Sequence, residues 1–288
     1  MKRNNRQNLG ALKPLPMRNR PFSPARRELI ARKSSSLARL LPNIITLAAL
    51  ASGLSGVRYA LAGNFAAAVT AIMLAAVLDG LDGRVARMMG ATSRFGAELD
   101  SLSDFVAFGV APALCLYIWG LDNAGRLGWA VSLVYAACMA LRLARFNTSL
   151  DDTKRPAWTS KYFVGVPAPA AAGLALLPII ANLEFEFFWL HVPWLVVPWM
   201  LMVSGLMISR IPTFSTKRLS VANRWLLPVF MGILLVVAGL ATEPWLTLLI
   251  TGICYLCSIP FTWMVARRSE GRNSARVINF IPRSHNAE

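Results

Sequence analysis

The amino-acid sequence predicts an all-α protein, a polytopic transmembrane helical bundle of about eight spans with both termini cytoplasmic. Three observations carry this expectation. Of 288 residues, 56% are hydrophobic and 15% are charged, with a mean hydropathy of +0.50; a soluble domain usually holds about 25% charged residues. The apolar residues gather in long runs. The basic residues, 30 Lys and Arg against 14 Asp and Glu, are sorted by loop. A pI near 10.8 is the usual mark of a nucleic-acid binder, but charge sorted in this way points to a membrane and away from nucleic acid.

The runs lie at about 40–62, 65–83, 98–119, 127–147, 163–182, 193–209, 225–241 and 245–266. Runs three and four carry ionisable residues, and later ones carry prolines, which membrane helices tolerate better than soluble ones. No repeat of 20–50 residues and no strand alternation is present, which excludes solenoids, propellers and outer-membrane barrels.

Orientation follows from the basic residues. Eleven precede the first run, and Arg84, Arg87 and Arg94 fill the hinge between runs two and three. Arg142, Arg145, Lys154, Arg155 and Lys161 follow run four; Arg210, Lys217, Arg218 and Arg224 follow run six; Arg267, Arg268, Arg272, Arg276 and Arg283 lie in the tail. Twenty-eight of 30 thus fall on one side, leaving Arg126 opposite and Arg58 inside run one. By the positive-inside rule that side is the cytoplasm. The expected organisation is a basic tail over 1–38, a membrane domain over 39–268 and a second tail over 269–288. The first tail either sets topology alone or, from Ala25 to Ala38, lies as an amphipathic helix on anionic lipid. A first apolar run starting near residue 40 argues against a cleaved secretory signal.

Cys115, Cys138, Cys254 and Cys257 all fall in apolar runs, and the C-x-x-C at 254–257 has no second Cys/His pair beside it, so packing is the better reading. His191 and His285 sit on opposite sides, which argues against a His-based triad or zinc site.

Five acids crowd residues 79–104, in DGLDGRVARMMGATSRFGAELDSLSD. Ionisable residues at the ends of membrane helices are costly and are functional suspects. Asp79, Asp82, Gly83, Ala86 and Arg87 form one helical stripe, and Gly96, Asp100 and Asp104 form another, with residues 88–95 turning through Gly90. Two antiparallel helices then face each other with four carboxylates at the cytoplasmic end. Such a group needs counter-charge, and hard oxygen donors suit one or two Mg²⁺ or Mn²⁺ ions. Gly83 and Gly96 leave room for a bulky ligand, and Arg87 can fork onto a phosphate. Phosphoryl transfer is the favoured chemistry. A cation or small-solute transporter is the different-class alternative, which the absence of Asp and Glu from runs five to eight disfavours.

Asp79-x-x-Asp82-Gly83-x-x-Ala86-Arg87, then eight residues, then Gly96-x-x-x-Asp100-x-x-x-Asp104, resembles the signature of the CDP-alcohol phosphotransferase family at every fixed position. The resemblance implies a helical membrane bundle with Asp79, Asp82 and Asp100 as metal ligands. Asp104 is then the general base and a further metal contact, and two divalent ions are the implied cofactor. Gly83, Ala86, Arg87 and Gly96 would meet the cytidine nucleotide, as would Asn43 and Thr46 of LPNIITLAAL. CMALRLARFN, FVGVPAPAAA and SRIPTFSTK look like the phosphatidylserine synthase branch. That branch transfers a phosphatidyl group from CDP-diacylglycerol to L-serine and releases CMP. The phosphatidylglycerophosphate, phosphatidylinositol-type and phosphatidylcholine synthases stay open as alternatives. Arg142 and Arg145, three residues apart near the end of run four, are candidates for the acceptor carboxylate or the lipid phosphate. The implied setting is a bacterial cytoplasmic membrane, with the site facing the cytoplasm, membrane lipids around it and a homodimer as the assembly.

Overall fold

The computed structural model describes residues 24–90, 93–151, 163–209, 212–213 and 226–260. In chain order these form α1 (Pro24–Leu61), α2 (Phe65–Met88), α3 (Arg94–Asp104), a π-helical stretch (Phe105–Val110) and α4 (Ala111–Trp119). Then come α5 (Arg126–Asp151), α6 (Ala168–Ala175), α7 (Leu177–Phe185), α8 (Pro193–Ile208), α9 (Leu226–Thr242) and α10 (Pro244–Pro260). Short 3₁₀ turns occupy Leu121–Ala124 and Phe188–His191. The all-helical expectation holds but for a two-residue antiparallel bridge, β1 (Phe163–Val164) with β2 (Pro212–Thr213).

Four segments are long and apolar enough to cross a membrane: Leu40–Leu61, Phe65–Met88, Arg94–Trp119 and Arg126–Thr148. The bent pair α6–α7 makes a fifth. The helices α8, α9 and α10 lie in the other three runs but are shorter. The expected boundaries shift at the signature: α2 continues to Met88 and the next helix starts at Arg94, so the turn is tighter than residues 88–95. Gly90 makes it with φ +59°, and Ser93 caps the following helix by accepting from the Gly96 N–H at 3.0 Å. The 25–38 segment is helical and continuous with the first span. The tail over 269–288 and most of SRIPTFSTK lie outside the described residues.

Two prolines set the local geometry of the middle spans. Pro112 has no N–H to offer the Phe108 carbonyl four residues back, and the helix before it relaxes into the π stretch. The buried Tyr135 hydroxyl on α5 donates to that carbonyl at 3.0 Å. Pro178 likewise cannot serve the Leu174 carbonyl, where α6 and α7 meet at 43°. Trp199 Nε1 on α8 donates to it at 2.9 Å. In an apolar surround each freed carbonyl needs such a donor.

Small residues bring α1 close to the π stretch. A Cβ on Gly53 would stand 2.7 Å from the Ala107 Cα, closer than atoms pack. Gly53→Val is therefore expected to destabilise the protein by about 1–3 kcal/mol, as overpacked cores do. Gly173→Ala, with open space around its Cβ, should leave stability equal or higher. Thermal unfolding of detergent-solubilised protein compares them; equal Tm values for wild type and Gly53→Val would refute the close approach.

Candidate active site

The antiparallel pair α2 and α3 brings the signature acids together at one end of the bundle. Carboxylate oxygens of Asp79, Asp82 and Asp100 all lie within 4.8 Å of one another, with Asp82 buried and the other two half-buried. Asp104, one turn beyond Asp100, comes within hydrogen-bonding distance of Asp79. These four acids converge as the helical stripes require.

First-span residues hold the group from the side. Thr46, itself buried, has its Oγ1 2.6 Å from Asp82 Oδ2 and 3.0 Å from the Pro42 carbonyl. Ser103 Oγ donates to the Thr46 carbonyl at 3.1 Å, tying α3 to α1 beside the acids. Asn43 Oδ1 is 3.2 Å from where a Gly96 Cβ would stand, so any side chain at Gly96 would crowd it. Across the signature, Nη1 of the exposed Arg87 lies 3.5 Å from where a Gly83 Cβ would stand, so the guanidinium covers that glycine. Ala86, half-buried, continues the same face. Of the six candidate nucleotide contacts, Thr46 touches a carboxylate directly, Asn43 packs at Gly96 and Arg87 at Gly83.

The two arginines of α5 part ways. Arg142 is half-buried, and its guanidinium interacts electrostatically with Asp104, Tyr255, Tyr135 and Asp79. Arg145 is exposed and donates from Nη1 to the Ile208 carbonyl at the end of α8, 2.9 Å away. Nearby, Asn147 Nδ2 donates to Ser101 Oγ at 3.0 Å, joining α5 to α3. Sequence reasoning did not single out Ser103, Tyr135 or Tyr255. Their hydroxyls act between helices distant in the chain, and nothing in local spacing marks them.

The donor set fits a divalent metal. Three carboxylates offer hard oxygens from two rigid helices, and Mg²⁺ binds such oxygens at about 2.0–2.1 Å, so separations within 4.8 Å need only small side-chain movements to meet on an ion.

Comparison with known proteins shows the family. The family model described as CDP-alcohol phosphatidyltransferase matches residues 39–211, from the first span to the end of α8. The chain belongs to the CDP-alcohol phosphatidyltransferase family. A second model, CDP-alcohol phosphatidyltransferase 2, matches residues 224–260, which hold α9 and α10. A Mycobacterium leprae protein named CDP-diacylglycerol–serine O-phosphatidyltransferase is 42% identical over 234 residues, 79% of this chain and 77% of its own. A Mycobacterium bovis protein of the same name is 39% identical, over 77% of this chain and 78% of its own. One from Helicobacter pylori is 43% identical over 148 residues, 51% of this chain and 60% of its own.

Because Thr46 is the hydroxyl donor to Asp82, Thr46→Val keeps the shape and removes the hydrogen bond. Hydrogen bonds to charged groups contribute about 1.5–3 kcal/mol, so the Mn²⁺ concentration giving half-maximal CMP release should rise about tenfold or more. An unchanged metal dependence would show that Thr46 does not orient Asp82.

Proposed function

We propose that the protein is an integral membrane phosphatidylserine synthase that transfers a phosphatidyl group from CDP-diacylglycerol to L-serine and releases CMP. The observation that carries this reading is the convergence of Asp79, Asp82, Asp100 and Asp104. It occurs in a chain 42% identical to a relative named for that activity.

In this reading Asp79, Asp82 and Asp100 hold the metal, with Asp104 at its edge. A divalent cation there supplies charge neutralisation for the diphosphate and the departing CMP. Gly83, Ala86, Arg87, Gly96, Asn43 and Thr46 receive the nucleotide: the glycines leave space, and Arg87 offers a planar fork to phosphate. Serine's hydroxyl is a weak nucleophile at neutral pH and needs a positioned base. Asp104 takes its proton as the serine oxygen attacks the phosphorus that bears the diacylglycerol arm. The bond from that phosphorus to the bridging oxygen breaks, its electron pair leaves with CMP, and phosphatidylserine remains in the bilayer.

The apolar runs support eight spans, the charge sorting supports cytoplasmic termini and a cytoplasm-facing site, and the bacterial relatives support a bacterial cytoplasmic membrane. The same reading divides the chain into a basic tail over 1–38, a catalytic membrane domain over 39–268 and a second tail, and assembles it as a homodimer.

Purified protein should release CMP from CDP-diacylglycerol when given L-serine with Mn²⁺ or Mg²⁺, and excess chelator should abolish the release. Serine left unused while glycerol 3-phosphate or inositol is consumed would refute the acceptor; full turnover in EDTA would refute the metal. Asp104→Asn keeps the size and removes the base, so CDP-diacylglycerol should still bind while transfer falls about 10²–10⁴-fold. A variant with normal turnover would remove Asp104 from that role.

A further inference from the structure

Three buried polar atoms on the helices α5 and α10 have no hydrogen-bond partner among the described residues. They are Nε and Nη1 of Arg142 on α5 and the hydroxyl of Tyr255 on α10. Each is a donor left unsatisfied in an apolar bundle, which costs free energy unless something fills the space between them. The Arg142 guanidinium interacts electrostatically both with Tyr255 and with Asp104, so it links the orphaned hydroxyl to the proposed base. Tyr255 is held there by packing: it lies against the buried core with Leu256, and one turn earlier α10 meets Leu177 so closely that a Cβ on Gly252 would stand 2.7 Å from Leu177 Cδ2.

We propose that Tyr255 and Arg142 together form the subsite for the carboxylate of the acceptor amino acid, making Tyr255 a specificity-determining residue of the last described helix. This rests on the serine-accepting reading above. Nε–H and Nη1–H are charged donors on two edges of the guanidinium, and a carboxylate oxygen accepts strongly from either. A phenolic O–H supplies a third donor, and neither group offers a competing acceptor charge. In so small an amino acid the carboxylate and the hydroxyl lie within one side chain's reach. A carboxylate on Arg142 therefore leaves the reacting oxygen near Asp104, the guanidinium's neighbour. In the proposed reading the diphosphate would be met by a metal held on the carboxylates and by the exposed Arg87. The buried donors are thus left to a second, smaller anion. The residue that completes the subsite comes from α10, 113 positions beyond Arg142 in the chain, which gives the segment after the signature domain a direct part in acceptor choice.

The test is Tyr255→Phe in the full-length enzyme, which removes one hydroxyl and keeps the ring. A lost hydrogen bond to a charged group corresponds to about a 10- to 100-fold change, so the serine KM should rise by that factor. The KM for CDP-diacylglycerol should stay flat, and kcat should change less than threefold. Discrimination between L-serine and L-serinamide, which lacks the carboxylate, should narrow by a similar factor. Because the hydroxyl is unpartnered without ligand, the apparent Tm of the variant should equal or exceed that of wild type, which separates a binding effect from misfolding. An unchanged serine KM and unchanged serinamide discrimination would overturn the proposal, as would a rise confined to the CDP-diacylglycerol KM, which would assign the donors to lipid phosphate. Wild-type enzyme that ignores serine altogether would instead overturn the acceptor reading itself.

Discussion

Like charges gathered at the end of an apolar bundle are the constraint around which this protein is built. Asp79, Asp82, Asp100 and Asp104 sit on two rigid helices, so the repulsion among them cannot be relieved by side chains swinging apart. The neighbours answer that repulsion in kind. Thr46 turns a hydroxyl onto the most buried carboxylate, and Arg142 brings a guanidinium toward Asp79 and Asp104. Ser103 and the Ser101–Asn147 pair fix α3 to α1 and α5 so that the geometry persists. At Gly96 a side chain would crowd Ser93 and Asn43, and at Gly83 it would meet the Arg87 guanidinium.

The same economy of polar groups governs the backbone. Pro112 and Pro178 each free a carbonyl four residues earlier, and each carbonyl is met by an aromatic donor from another helix, Tyr135 and Trp199 respectively. Membrane helices tolerate proline on those terms. The first substitution has a consequence for the site: the π stretch begins at Phe105, directly after Asp104, and changes the pitch of the third span at its last acid. Tyr135 therefore links the backbone just beyond Asp104 to the helix that carries Arg142.

The carboxylate cluster was legible in the sequence because helical spacing alone places those acids on facing stripes, and two antiparallel helices joined by a short turn have only one way to bring them together. The all-helical class was legible from apolar runs. Span number was less so: four described helices are long enough to cross, the bent pair α6–α7 makes a fifth, and α8, α9 and α10 coincide with apolar runs but are shorter within the described residues. Arg142 and Arg145 looked equivalent at three-residue spacing. Only tertiary packing separates them, turning one toward the acids and the other to the end of α8. Tyr255 was invisible for the same reason, since its meaning depends on which helix packs beside α5.

Charge balance adds a last constraint on how such a site works. If bound cations kept all four carboxylates ionised, these would outweigh Arg142 by three negative charges in a setting that screens them poorly. One divalent ion does not cancel that excess, and the centre would still repel an anionic diphosphate. Two ions would overshoot it by one positive charge, and a centre of that sign would attract the diphosphate and favour the charge that builds on the leaving phosphate. In the proposed reading, the density of acids favours a pair of ions over one. It also explains why the covering arginine, Arg87, stands at the exposed rim: placed deeper, its charge would compete with the ions for the same carboxylates, whereas at the rim it meets the nucleotide's phosphate on arrival.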